Sequence, residues 1–113
     1  MIAHVRPQGL QDWFTKNTTG QLPLLLDVRE LWELQTASVQ EQNFELLTIP
    51  MAAIPQRLAG LDPARPVACL CHHGARSMQA AVFLKHHGFE HVANVTGGID
   101  AWSIEHDSAV PRY

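Results

Sequence analysis

Only two of the 113 residues are cysteine, Cys69 and Cys71, and a single residue separates them. A small secreted fold stapled by disulfides needs paired cysteines spread along the chain, so that class is excluded, and a reducing compartment suits a free thiol. Charge is scarce too: Asp, Glu, Lys and Arg together make up 17% of the residues and the formal net charge is −3. Neither nucleic acid nor an anionic membrane surface is a fitting partner for such a chain, so any anionic ligand has to be held by local groups. No apolar run approaches membrane-spanning length, and the opening Met1-Ile2-Ala3-His4-Val5-Arg6-Pro7 lacks the basic stretch and apolar core of an export signal. The expectation is a cytoplasmic protein with no membrane partner. Internal repeats and low-complexity tracts are also missing, and 46% hydrophobic residues are ample for one domain over residues 1–113.

What is present is concentrated between residues 67 and 81. The apolar run Val67-Ala68-Cys69-Leu70-Cys71 reads as a strand buried on both faces, and it breaks into His72-His73-Gly74-Ala75-Arg76-Ser77. Gly74 permits a turn that a side chain resists, and from Ser77 onward apolar residues at Met78, Ala81, Val82 and Leu84 suggest a helix. Cys71 is thereby placed at the carboxyl end of a strand, facing a helix N-terminus. A thiol is nucleophilic as its thiolate, and a helix N-terminus, with the N–H groups of a curved loop, favours that anion. Nucleophile, ionising environment and anion site thus come from one short segment.

The rest of the chain supplies a frame for it. Strands are expected at 2–5, 22–28, 44–49 and 92–95, and helices at 7–16, 31–37 and 98–106. Met51, Ile54, Leu58 and Leu61 have helical spacing, and the Cys71 helix should end near Gly88 in a left-handed cap. Residues 38–43 read as loop and 107–113 as a loosely held tail. Strands alternating with helices predict an α/β fold of about five mainly parallel strands, with helices on both faces. Ligands of such sheets collect beyond the strands' carboxyl ends, where Asp27 to Glu30, the Cys71 loop and Thr96 to Gly98 all fall.

The heptad Cys71-His72-His73-Gly74-Ala75-Arg76-Ser77 resembles the active-site loop of the rhodanese-like sulfurtransferases. Leu26-Asp27-Val28-Arg29-Glu30 resembles that family's early strand end, and Asn94-Val95-Thr96-Gly97-Gly98-Ile99-Asp100-Ala101-Trp102 its late Gly-Gly-Ile-x-Ala-Trp segment. The resemblance implies that Cys71 attacks a sulfane sulfur, carries it as a persulfide and passes it to a thiol or to cyanide. It implies a substrate loop of His72, His73, Gly74, Ala75, Arg76 and Ser77, with Asp27 and Arg29 supporting that loop. A small sulfur donor such as thiosulfate, a thiol acceptor and possible protein acceptors are the implied partners. No cofactor or metal is implied.

Several roles stay open at this stage. Arg76 can bind a sulfonate through its fork, or brace the loop by an ion pair to Asp27 or Glu30. Ser77 can donate towards Cys71 or cap the helix. His72 and His73 can line the pocket, and Cys69, on the same strand face as Cys71, reads as a core residue. Cysteine phosphatases space Cys and Arg by one residue more, so a loop with four intervening residues suits a sulfur atom better than a phosphoryl group. The family commonly shows Gly-His-Ile-Pro-Gly-Ala before the third strand, where this chain has Ala37-Ser38-Val39-Gln40-Glu41-Gln42-Asn43. That departure motivates a second expectation, a relay module that takes persulfide sulfur from a protein partner.

Overall fold

A computed structural model describes residues 2–18 and 20–113, so Met1, and Thr19 in the expected 17–20 turn, lie outside the described residues. Five strands form one sheet: β1 (Ala3–Val5), β2 (Leu24–Asp27), β3 (Glu45–Thr48), β4 (Val67–Leu70) and β5 (Val92–Val95). Their order is β1-β5-β4-β2-β3 and every pairing is parallel. β2, β4 and β5 are buried at every residue, as largely apolar strands in the middle of a two-sided sheet must be, with Asp27 and Asn94 their two polar members. β3 is an edge strand whose residues are all partly or fully exposed.

The helices are α1 (Leu10–Asn17), α2 (Leu31–Thr36), α3 (Ile54–Arg57), α4 (Ala75–His86) and α5 (Gly98–Glu105). The alternation of side chains along each strand divides the core in two. Leu25, Ala68, Leu70 and Val95 pack with Leu10 and Phe14 of α1 and Ile99 and Trp102 of α5, while Leu24, Leu26, Cys69 and Cys71 pack with Ile54 of α3 and Ala80, Ala81 and Leu84 of α4.

Three expectations are corrected here. The Met51 to Leu61 stretch is a chain of short pieces, 3₁₀ at Met51–Ala53 and Leu58–Gly60 around the single α-turn of α3, since Pro55 and Gly60 interrupt any longer helix. Of the apolar positions expected along α4, Ala81 and Leu84 do turn inward, together with Ser77 and Ala80, but Val82 is 49% exposed. The 107–113 tail is anchored, with Val110 buried, the Asp107 N–H bonded to the Trp102 carbonyl at 2.8 Å and the Ser103 hydroxyl to the Val110 carbonyl at 2.5 Å. Gly88 does take the left-handed conformation, at φ +91°, just past α4. Among the described residues no helix is long and apolar enough to cross a membrane.

Candidate active site

The ladder of β4 stops at Leu70, and the next residue is where the chain turns. The Val28 N–H still bonds to the Leu70 carbonyl at 2.9 Å, but beyond it the Cys71 and His72 carbonyls receive N–H groups from the start of α5, Ile99 at 2.8 Å and Asp100 at 3.1 Å. This seat is made possible by glycine. A Cβ on Gly98 would lie 2.4 Å from the His72 oxygen and 2.5 Å from the Cys71 oxygen, so only a residue without one lets the two segments meet. Gly74, at φ +110°, then turns the loop into α4.

That turn aims polar groups at one sulfur. The Gly74 N–H donates to Cys71 Sγ at 3.0 Å, and the Ser77 hydroxyl lies 3.2 Å from it. Ser77 is completely buried and its oxygen is also 2.5 Å from Asn94 Oδ1 on β5, while the amide of Asn94 donates to the Gly74 carbonyl at 3.1 Å. A hydroxyl has one proton to give. With that proton on Asn94, Ser77 can accept from a Cys71 thiol; turned towards Sγ, it solvates a thiolate. Cys71 itself is only 1% exposed.

The charged residues form a second layer beneath the loop. Arg29 and Asp27 are both buried and joined at 2.8 Å between Nη2 and Oδ2, with Nε bonded to both carboxylate oxygens. Burial opposes the Arg29 charge, but Asp27 outweighs it and raises its pKa. Arg76 pairs with neither Asp27 nor Glu30. Its two terminal nitrogens each lie 2.7 Å from an oxygen of Glu33, in the bidentate geometry that suits a guanidinium. Glu33 is buried, and the Arg76 hydrogen bonds, working against desolvation and helped by the Glu30 N–H and the Tyr113 hydroxyl, hold its carboxyl down at about 2. Among the described residues every buried side-chain nitrogen and oxygen has a hydrogen-bond partner.

The structure therefore brings Cys71, Gly74 and Ser77 into contact and places Asp27, Arg29 and Arg76 in the supporting layer. His73 is exposed at the rim, 4.0 Å from Asp100, and Ala75 is exposed in the first turn of α4. His72 is half-buried and stacks between His73 and Tyr113. Cys69 is fully buried; burial, with Cys71 adding to it, pushes its thiol up to about 12. Trp102 is core, Trp13 flanks it and Trp32 is 61% exposed.

Three residues of the site had no assigned role in the sequence reading. Glu33 had a signal: it stands three positions after Glu30 and its carboxylate accepts the Glu30 N–H at 2.9 Å, one half of a capping box. Asn94 is a polar side chain in an otherwise apolar strand, Val92-Ala93-Asn94-Val95, which marks it for a buried hydrogen bond. Tyr113 carries no such signal.

A family model for the rhodanese-like domain matches residues 10–105. A sulfurtransferase of Allochromatium vinosum is 36% identical over 80 residues, covering 71% of each chain. The rhodanese-like/PpiC domain-containing protein 12 of Arabidopsis thaliana, a chloroplastic protein, is 37% identical over 91 residues; the match takes in 79% of this chain but only 30% of that longer one. Among solved structures, a rhodanese-related protein of Thermoplasma volcanium is 28% identical with a TM-score of 0.73, covering 92% of this chain and 93% of its own.

Proposed function

The chain belongs to the rhodanese-like domain family, and from that premise we propose that residues 1–113 act as one sulfurtransferase domain with Cys71 as nucleophile and sulfur carrier. The observation that carries the reading is the Cys71 sulfur at a strand end, with the Gly74 N–H at 3.0 Å and the Ser77 hydroxyl at 3.2 Å. Both groups can donate to a charged sulfur, and such aimed donors stabilise an anion by about 1.5–3 kcal/mol each.

In the first step the Cys71 thiolate attacks the outer sulfur of a donor such as thiosulfate. A new Sγ–S bond forms, the donor's S–S bond breaks, and sulfite leaves with the electron pair. In the second, an acceptor thiolate or cyanide attacks the outer persulfide sulfur and the Cys71 thiolate is regenerated. His72, His73, Gly74, Ala75, Arg76 and Ser77 make up the loop that would receive the donor, and of these Gly74 and Ser77 reach the sulfur itself. Within that set Arg76 is read as a brace, since both terminal nitrogens of its fork are already engaged by Glu33. Asp27 and Arg29 hold the floor below it. The A. vinosum relative, itself a sulfurtransferase, supports the reaction class.

A second reading, the relay module fed by a protein persulfide, is favoured by the 37–43 segment. There Ala37 and Val39 are buried against the α1 side of the core, where the family's usual segment is replaced. Intact and peptide mass measurement after incubation with thiosulfate tests both. One added sulfur on the Cys71 peptide, removed by cyanide or a thiol, is expected of the transferase; loading only from a persulfidated protein donor favours the relay, and no loading from either overturns both.

A further inference from the structure

Residue 113 touches both ends of the Cys71 loop's support. The Tyr113 hydroxyl donates to Glu33 Oε1 at 2.9 Å and accepts from Arg29 Nη1 at 3.0 Å. Its ring lies flat against His72, the neighbour of Cys71, with centroids 3.9 Å apart and planes 8° from parallel. The Tyr113 carbonyl is 2.7 Å from His72 Nε2, and Trp32 of α2 meets the ring edge-on at 6.0 Å. Arg112 adds an ion pair to Asp100 in the first turn of α5.

These contacts have a common destination. Glu33 gives one oxygen to each terminal nitrogen of Arg76, so whatever orients Glu33 orients Arg76 and with it the first turn of α4. The phenol is placed between that carboxylate and the buried Arg29–Asp27 pair, joining the floor of the site to the arm of the loop. Its ring holds the other arm through His72. Without the hydroxyl, Glu33 loses a donor and Arg29 an acceptor; without the ring, His72 loses the face it lies on.

We infer that Tyr113 is a positioning residue for sulfur transfer, setting the Cys71 loop from both sides through Glu33–Arg76 and through His72. The inference rests on the sulfur-transfer reading above. Preorganisation of donors around a reacting sulfur affects the rate at saturating donor more than it affects donor binding.

The test compares Tyr113→Phe, which keeps the ring, with Tyr113→Leu, which removes ring and hydroxyl, in the full chain. Single-turnover loading of Cys71 is followed by mass from thiosulfate and, separately, from glutathione persulfide, and Tm is recorded for each variant. The Phe variant is expected to load about tenfold more slowly at saturating donor, the Leu variant more slowly still, with the donor concentration for half-maximal rate little changed. Tyr113→Phe added to Arg76→Lys should slow loading less than it does alone, because the two act along one chain of contacts. Variants that load like the wild type, or a slowing that adds in full to Arg76→Lys, overturn this inference alone. Where the wild-type chain loads only from a persulfidated protein, the same comparison is made with that donor; a wild-type chain that loads from none of the three overturns the sulfur-transfer reading and this inference with it.

Discussion

Cys69 and Cys71 sit two residues apart on one strand side, in the same apolar cluster, at 0% and 1% exposure. Burial does not distinguish them. Cys69 lies within β4, where the backbone N–H and C=O groups of neighbouring strands are engaged in the ladder, and its thiol is pushed up to about 12. Cys71 has stepped one residue past the strand's end, where the chain curls and the N–H of Gly74, the residue that caps α4, points at sulfur. Donors reach a sulfur in this fold only where the ladder ends, and two residues of sequence separate a thiol enclosed by the strand from one met by the Gly74 N–H and the Ser77 hydroxyl.

The sharpest way to break that comparison is Cys71→Ser, expected to reduce persulfide loading to background when followed by peptide mass. Next in size is Gly98→Ala, whose Cβ has nowhere to go beside the Cys71 and His72 oxygens and whose φ of +61° disfavours any side chain. It should cost about 2–4 kcal/mol in urea unfolding and lower the loading rate by more than about tenfold. Acid reaches the supporting layer through Glu33. Held at about 2 in the fold against an ordinary 4.5, Glu33 contributes stability that is present above about pH 4.5 and is lost as pH falls towards 2. That contribution is on the order of 3 kcal/mol. Urea midpoints across this range should decline for the wild type and flatten in Glu33→Gln. Ser77→Ala removes a donor next to Sγ and leaves Asn94 Oδ1 unpaired, which should cost about 1–2 kcal/mol and slow loading several-fold. The smallest effect is expected at the other cysteine. Cys69→Ala should load within about twofold of the wild-type rate, with a stability loss of about 1 kcal/mol measured by the same unfolding.

Much of the frame was legible because central parallel strands are buried on both faces and so spell themselves as apolar runs: Leu24-Leu25-Leu26, Val67-Ala68-Cys69-Leu70, Val92 to Val95. Cys71 and its glycines were legible for a local reason, since strand end, turn and helix start are contiguous. The supporting layer was not. Arg76 and Glu33 are 43 positions apart and Tyr113 and Glu33 80, and Asp27 and Glu30 are farther still from Arg76, so sequence separation does not choose among the carboxylates; the pairing with Asp27 or Glu30 follows only from the strand-end motif that carries those two. A six-residue α2 decides the matter, because its one inward carboxylate rises from the first turn to the loop. Along α4 the apolar spacing was legible at Ala81 and Leu84, which are buried, but not at Val82, which is exposed, nor at Ser77, whose burial a periodicity argument does not anticipate for a polar residue.

The order β1-β5-β4-β2-β3 carries a consequence for how the molecule comes together. Among the described residues β1 pairs with β5 alone, about ninety residues away in sequence, and the register Ala3 to Ala93 and Val5 to Val95 can close only after that whole loop of chain has formed. During synthesis the first strand to emerge is thus the last able to dock, and the Thr96 N–H, which bonds to the Val5 carbonyl at 2.8 Å just before Gly97 and Gly98, waits for it. Once docked, three residues with His4 facing solvent make β1 a short, half-polar edge and a poor template for a foreign strand; until then it is β5, buried at every residue in the finished sheet, whose edge stands open.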